Sequence, residues 1–181
     1  MGTRRVKSYK GNYIQKYPDI NRIIPKINNL EELEAAKGEF TRLEYMGLYQ
    51  TFYELYLYDC ATWEERSLIC PIVGLQYSSN NVPILIMPKM VPLATEDDSF
   101  RFEEEEIPIE LGSRLAAKGY TDEEIGELLE KITNFCIDWN LNESDVLLNL
   151  SNLGYSRELG LRIIDYGLTE KMMEEYYGPE I

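Results

Sequence analysis

Histidine is absent from the 181-residue chain, and cysteine occurs only three times, at Cys60, Cys70 and Cys136. Without histidine the chain has no Ser-His or Cys-His nucleophile pair, and most zinc sites are excluded. Three scattered cysteines form neither a disulfide framework nor a tetrahedral thiolate site. We therefore expect any bound metal to be a hard ion held by carboxylate and amide oxygens, with magnesium the first choice.

Long apolar runs are also missing. No stretch approaches the roughly 20 consecutive apolar residues that cross a bilayer, and the opening residues lack the apolar core of a signal peptide. Apolar residues make up 44 % of the chain, which is typical of globular proteins. The expectation is a soluble cytoplasmic protein with no membrane partner.

Positive charge is scarce overall and concentrated near the start of the chain. The net charge is −14, yet residues 1–26 carry seven Lys or Arg and one acid, which leaves eleven bases and 31 acids for the rest. A chain this acidic is not expected to bind nucleic acid directly, because phosphate backbones need a basic surface. The basic segment can dock on the acidic body or receive an anionic ligand.

The first half of the sequence predicts a hairpin, a long helix and a second hairpin. The first hairpin turns at "KGN", residues 10–12. Asn29 is the predicted cap of the helix, in which Gly38 and Gly47 allow a break or bend. Two strands dense in Ile, Leu and Val flank the turn "SSNN", residues 78–81.

The second half predicts an acidic segment, a helix and a closing hairpin. Residues 94–110, "ATEDDSFRFEEEEIPIE", show no periodicity, which favours a solvated linker or insertion. Thr121 and Glu124 form a capping box for an amphipathic helix. Cys136 lies on its apolar face and is predicted to be a core residue rather than a nucleophile. "SRELG", residues 156–160, predicts the last turn.

This order of elements resembles the protein kinase-like fold, in particular the small kinase-like proteins of bacteriophages. The matching pieces, in chain order, are "GTRRV" as a degenerate phosphate loop, "YIQK" as the lysine strand, "PILIMPKM" as the strand entering the hinge, "SNLG" as the catalytic-loop asparagine and "DYG" as the Asp-Phe-Gly motif. The implied fold is a minimal two-lobed α+β kinase-like fold with lobes at 1–92 and 93–181. Since 14 residues follow Gly167, a truncated C-terminal lobe is expected.

The resemblance assigns nucleotide-binding roles in the first lobe. Lys16 would contact nucleotide phosphates, and Glu44 on the long helix would pair with Lys16. Backbone groups near Met87, Lys89 and Met90 would meet an adenine ring. The implied cofactors are ATP and Mg²⁺.

In the second lobe, the resemblance makes Asn152 and Asp165 magnesium ligands, with Asn149 as an alternative to Asn152. The catalytic base of kinases lies five residues before the asparagine, where this chain has Leu147; Asp145 is the nearest acid. Each residue taken alone also fits an ordinary role: Lys16 a solvated strand lysine, Asp165 the start of a polar turn.

Three functions follow from these features. The first is a kinase-like protein that is catalytically impaired and acts in the cytoplasm, a host cytoplasm if phage-encoded, as a protein-binding regulator that retains nucleotide binding. The second is an active ATP- and magnesium-dependent phosphotransferase that uses Lys16, Glu44, Asp145, Asn152 and Asp165. The third is an acidic inhibitor or nucleic-acid mimic that binds a basic protein through the run Glu103–Glu106.

Overall fold

Helices and antiparallel sheets make up the protein, which is of the α+β class. The computed structural model describes residues 2–95, 98 and 101–177. The described residues form seven α-helices, two short 3₁₀ helices and two antiparallel sheets. No helix in this part of the chain combines the length and apolar character needed to cross a membrane.

The chain divides into two compact units. One contains the chain up to Arg66, Cys70–Lys89 and the chain from Met172 onward, and the other contains Ser67–Ile69 and Met90–Lys171. The chain therefore passes from the first unit to the second between Lys89 and Met90. The lobes at 1–92 and 93–181 stay a prediction.

A four-stranded antiparallel sheet forms the first unit's strand layer, in the order β1-β2-β4-β3. The predicted "KGN" turn joins β1 to β2, and Gly11 has a φ of 78°, which glycine adopts at little cost. The predicted "SSNN" turn joins β3 to β4. The strands are β1 (Arg4–Tyr9), β2 (Tyr13–Pro18), β3 (Gly74–Tyr77) and β4 (Pro83–Pro88).

The predicted long helix is divided in two. A 3₁₀ helix, Lys37–Glu39, contains Gly38 and separates the parts, and Thr41 with Glu44 forms a capping box that starts the second part. Gly47 does not break the helix; a Cβ there would lie 2.7 Å from the Thr3 carbonyl oxygen, so glycine allows close approach to the start of β1. The helices of this unit are α1 (Leu30–Ala35), α2 (Arg42–Cys60) and α3 (Trp63–Arg66).

Apolar side chains of α2 and of the sheet make the core of the first unit. Leu48, Phe52 and Leu57 are buried on the helix, and Leu85 and Met87 are buried on β4. Each such side chain contributes about 1.5–3 kcal/mol when it leaves water. The core thereby holds α2 against the sheet face that carries Lys16, since Lys16 is the register partner of Leu85.

The second unit combines a small sheet with helices. Its strands are β5 (Val91–Pro92), β6 (Leu153–Ser156) and β7 (Gly160–Ile163), in the order β5-β6-β7. The predicted closing hairpin is therefore present as β6 and β7. The helices are α4 (Ile107–Ala117), α5 (Asp122–Asp138), α6 (Glu143–Leu147) and α7 (Glu170–Tyr177), the last of which continues into the first unit.

The prediction of α5 is confirmed, including the capping box of Thr121 with Glu124 and the burial of Cys136. Two helices were missed. The segment predicted as a linker ends inside α4, whose residues Ile107 and Leu111 are buried one helical turn apart. Helix α6 begins after its cap, Asn142, whose side chain accepts a hydrogen bond from the Asp145 amide. Glu96, Asp97, Ser99 and Phe100 of the acidic segment, and residues 178–181 of the predicted frayed end, lie outside the described residues.

Candidate functional site

A buried cluster of three charged side chains connects the sheet of the first unit to α2. Glu54 on α2 is fully buried, and its Oε1 lies 2.8 Å from Lys16 Nζ and 2.5 Å from Arg4 Nη2. The side chains of Arg4 and Lys16 are also almost completely buried. Two cations thus share one carboxylate oxygen, and the three groups together carry a net charge of +1.

The sheet register explains why Arg4 and Lys16 meet. Lys16 pairs with Val6, and Arg4 pairs with Pro18, so the two cations stand diagonally on adjacent strands and on the same face. Helix α2 packs on that face and places Glu54 between them. The cluster therefore depends on three elements, β1, β2 and α2.

The predicted ion pair between Lys16 and Glu44 was wrong. Glu44 Oε2 instead lies 3.0 Å from Arg22 Nε, and its Oε1 accepts a hydrogen bond from the Thr41 amide in the capping box. Ten residues separate Glu44 from Glu54, about 15 Å along a helix. The carboxylates of Glu44 and Glu54 therefore have different cationic partners.

The sequence carries a signal for Glu54 that the prediction of Glu44 as the partner of Lys16 did not use. Glu54 stands in "FYELYL", where apolar and aromatic residues surround a single acid. An acid on the buried face of a helix requires a cationic partner, because burying an isolated carboxylate is very costly. The sequence signal for the partner of Lys16 is therefore an acid in apolar surroundings, rather than an acid near the start of the helix.

Apolar surface lies next to the charge cluster on the same sheet face. Val6, directly opposite Lys16, is 60 % exposed, and Ile14, two residues before Lys16, is half-buried. On this face a phosphate group near Lys16 would have apolar side chains at its side.

The residues predicted to meet an adenine ring lie at the end of β4. Met87 is buried and pairs with Ile14, and Lys89 is exposed while its amide donates to the Asn12 carbonyl at 2.7 Å. Met90 is buried and belongs to the second unit. The Lys89 amide is therefore engaged with the β1–β2 turn, and the adenine-binding role of this segment stays a prediction.

In the second unit, Asn152 makes hydrogen bonds with Asp145 and with Ile164, the residue before Asp165. The Asn152 side-chain amide donates to the Asp145 carbonyl at 2.8 Å. The hairpin pairs Leu153 with Ile163, and the Ile164 amide donates to the Asn152 carbonyl at 2.9 Å. Asp165 is the next residue. Asn152 and Asp165 therefore lie on the two chain segments at the open end of the β6–β7 hairpin, and Asp145 contacts Asn152 through its main-chain carbonyl.

Asn152 and Asp165 carry oxygen atoms of the kind that Mg²⁺ binds, and their role as its ligands stays a prediction. Because the Asn152 nitrogen donates to Asp145, the Asn152 side-chain oxygen is left as an acceptor. Asp165 is half-buried two residues after β7 and is followed by the fully buried Tyr166, which anchors the segment. Among the described residues no group of three or more Asp, Glu or Cys side chains is arranged to hold a metal. Mg²⁺ commonly takes one or two protein carboxylates together with substrate phosphates and water.

Asn149, the alternative ligand, has a different role in the structure. Its side-chain oxygen accepts from the Ser151 amide at 3.2 Å and from the Ser151 hydroxyl at 2.5 Å. Asn149 caps the 3₁₀ helix Leu150–Asn152 and so positions Asn152. Asn152 is therefore the better candidate for the metal.

The comparisons with known proteins give one distant match. No protein-family model matches the chain, and no curated protein matches it. Among solved structures, the chain is similar to the "Co-crystal structure of WbdD and kinase inhibitor LY294002", with 16 % identity and a TM-score of 0.45, over 91 % of this chain and 30 % of that one. The chain thus spans less than a third of that protein. A TM-score of 0.45 does not establish a common fold, so the kinase-like resemblance depends on the residues described above.

Proposed function

We propose that this protein is kinase-like, binds the phosphate groups of a nucleotide and acts as a regulator that binds another protein. The observation that carries this proposal is the buried pair between Lys16 on a strand and Glu54 on the helix packed against it. Protein kinases hold the lysine that contacts the phosphates by an ion pair of this kind.

The charge and surroundings of the cluster support phosphate binding. Two cations act with one carboxylate, so the cluster attracts anions, whereas the chain as a whole repels them with its net charge of −14. Val6 and Ile14 add apolar surface on the same sheet face, against which a flat base or the sugar of a nucleotide can pack.

For the second unit, the proposal makes Asn152 and Asp165 ligands of a magnesium ion. Mg²⁺ is the ion that neutralises phosphate charge in phosphoryl-transfer proteins. Asn152 is positioned through Asp145 and Asn149, and Asp165 is positioned through the β6–β7 hairpin. These supports fix the ligand geometry, which a metal site requires.

Impaired catalysis is part of the proposal. In protein kinases the aspartate that accepts the substrate proton precedes the metal-binding asparagine by five residues, and this chain has Leu147 there. Asp145 stands seven residues before Asn152, in the first turn of α6. An apolar residue at the base position supports nucleotide binding with little phosphoryl transfer.

A second candidate function is an active phosphotransferase. It is favoured by the hydrogen bond from Asn152 to the Asp145 carbonyl, which holds Asp145 beside the proposed metal ligand despite the altered spacing. Transfer of label from γ-labelled ATP to any acceptor, and its loss in Asp145→Asn, would establish this alternative.

The test of nucleotide binding is the change in melting temperature on adding Mg-ATP. A ligand that binds only the folded state raises the melting temperature. We expect the rise in the wild type and its loss in Lys16→Ala. Removing Lys16 leaves Glu54 paired with Arg4, so the variant should still fold.

Lys7→Ala is the matched control. Lys7 lies on β1, is exposed and points to the sheet face opposite to that of Arg4. The variant therefore loses the same charge from the same sheet and leaves the cluster unchanged. Lys7→Ala should keep the Mg-ATP effect. The absence of any rise in the wild type, or a full rise in Lys16→Ala, would overturn the proposal.

A further inference from the structure

A cavity of about 400 Å³ lies between α1 and α2 in the first unit, apart from the charge cluster. Its apolar lining comes from Leu30, Phe52, Leu55 and Tyr56, and two acids, Glu31 and Asp59, also line it. This volume lies within the range of ligand pockets and holds one or two large side chains. The cavity is formed within one unit by α1, α2 and the residues just before α1.

The charge at this cavity has one sign. No Lys or Arg is among the residues that line it. Within the described residues, the carboxylates of Glu31 and Asp59 take part in no hydrogen bond or ion pair. Two acids beside an apolar floor favour a ligand that is apolar at one point and cationic at its flanks.

Exposed aromatic residues occur in the cavity lining and shortly after it along the chain. Tyr56 is 51 % exposed at the cavity, and Trp63, four residues after Asp59, is 80 % exposed. Trp and Tyr are the residue types most enriched among those that dominate protein–protein binding energy. An exposed aromatic residue in the cavity lining suits a protein segment better than a small amine.

We propose that this cavity binds a short segment of a basic partner protein. An apolar side chain of the segment packs on Phe52 and Leu55, and flanking Lys or Arg side chains pair with Glu31 and Asp59. The inference rests on the protein-binding part of the proposed function, and it names the surface and the chemistry of the partner. The net charge of −14 further favours the approach of a basic partner.

The experiment selects peptides from a random 12-residue library displayed on phage, with the full chain immobilised. Selected peptides are then synthesised, and their affinities are measured by fluorescence polarisation. We expect peptides in which Lys or Arg flanks a large apolar residue. The double variant Glu31→Gln, Asp59→Asn should bind them about tenfold more weakly.

The control double variant is Glu127→Gln, Glu130→Gln, which removes the same charge from exposed positions on α5. It should bind the peptides as the wild type does. Leu55→Glu should also abolish binding, since it places a charge on the cavity floor. Unchanged melting temperatures establish that the variants fold.

Three outcomes would overturn the inference: failure to select any peptide, selected peptides without excess Lys or Arg, or equal affinity for the wild type and the Glu31→Gln, Asp59→Asn variant. The Mg-ATP effect on melting temperature, measured in the same variants, reports on Lys16 separately. Its retention where peptide binding is lost assigns the loss to this cavity and leaves nucleotide binding intact.

Discussion

Lys16 Nζ and Arg4 Nη2 contact the same oxygen of Glu54, at 2.8 Å and 2.5 Å, inside the first unit. The carboxylate in this position is the shared counter-ion of two buried cations. Removing one partner of a buried ion pair is far more destabilising than removing an exposed pair, because the remaining charge stays buried without compensation. Glu54 is therefore a structural requirement of the cluster.

Glu54→Gln should lower the free energy of unfolding by about 3–5 kcal/mol. Glu44→Gln is the matched control on the same helix. Glutamine at that position can still complete the capping box, and the lost pair with Arg22 is partly exposed, so a loss below about 1 kcal/mol is expected. Urea denaturation of both variants measures the difference. Equal losses would show that Glu54 is not held as described.

Gly47→Ala tests the close approach of α2 to the start of β1. An added Cβ would meet the Thr3 carbonyl oxygen at 2.7 Å, so helix and strand must separate. We expect a loss of about 1–3 kcal/mol in unfolding free energy.

Gly126→Ala, inside α5, is the control for the Gly47 variant. Nothing lies within 4 Å of the Cβ there, and alanine favours helix, so a gain of about 0.5–1 kcal/mol is expected. Chemical denaturation separates the two cases by the sign of the effect. A stabilising Gly47→Ala would contradict the contact with Thr3.

Features that depend only on residues close together in the sequence were predicted correctly. The "KGN" turn follows from the dihedral freedom of Gly11, and the start of α5 follows from the capping pair Thr121 and Glu124. Helix α4 was missed because its buried residues Ile107 and Leu111 lie at the edge of an acidic run that hides their helical spacing.

Features that depend on tertiary packing were predicted only in part. The partner of Lys16 required knowing which face of α2 is buried, and that face carries Glu54 rather than Glu44. The approach of Asp145 to Asn152 also depends on α6, which the sequence interpretation did not contain. The order of the motifs identified the candidate residues, and tertiary packing determines which of them are in contact.

The pair between Glu44 and Arg22 should make stability depend on pH. The hydrogen bond from the Arg22 guanidinium, followed by those at the helix cap, lowers the pKa of the Glu44 carboxyl. A lowered pKa in the folded state contributes stability above the unfolded value of about 4.3 and loses it as the pH falls through the folded value. Arg22→Gln should therefore melt below the wild type at neutral pH, and the gap should close as the pH falls through that range.

Melting curves of Arg22→Gln and the wild type at about pH 7 and about pH 3 test this dependence. Arg157→Gln, an exposed arginine on the β6–β7 turn, is the charge-matched control and should show no such convergence. A gap for Arg22→Gln that persists in acid would indicate that Arg22 acts through packing on Phe40 rather than through Glu44.

Thiol reactivity should distinguish the three cysteines. Burial, with smaller contributions from Glu143 and Asp145, raises the pKa of the Cys136 thiol to about 12, so its reactive thiolate is negligible at neutral pH. Cys60 is exposed, while Cys70 is buried. Treatment of the native protein with iodoacetamide should modify Cys60 alone, as measured by mass spectrometry of its peptides. Rapid modification of Cys136 would contradict its burial on the apolar face of α5.

Asp165→Asn should separate metal binding from nucleotide binding. The substitution keeps the size of the side chain but removes the negative charge that a hard cation requires. We expect calorimetry to show equal ATP binding without magnesium in both proteins, and magnesium binding only in the wild type. Asp138→Asn, an exposed acid at the end of α5, should behave like the wild type. If magnesium binds equally well to Asp165→Asn, the ion is held without Asp165, and the proposed ligand pair with Asn152 is wrong.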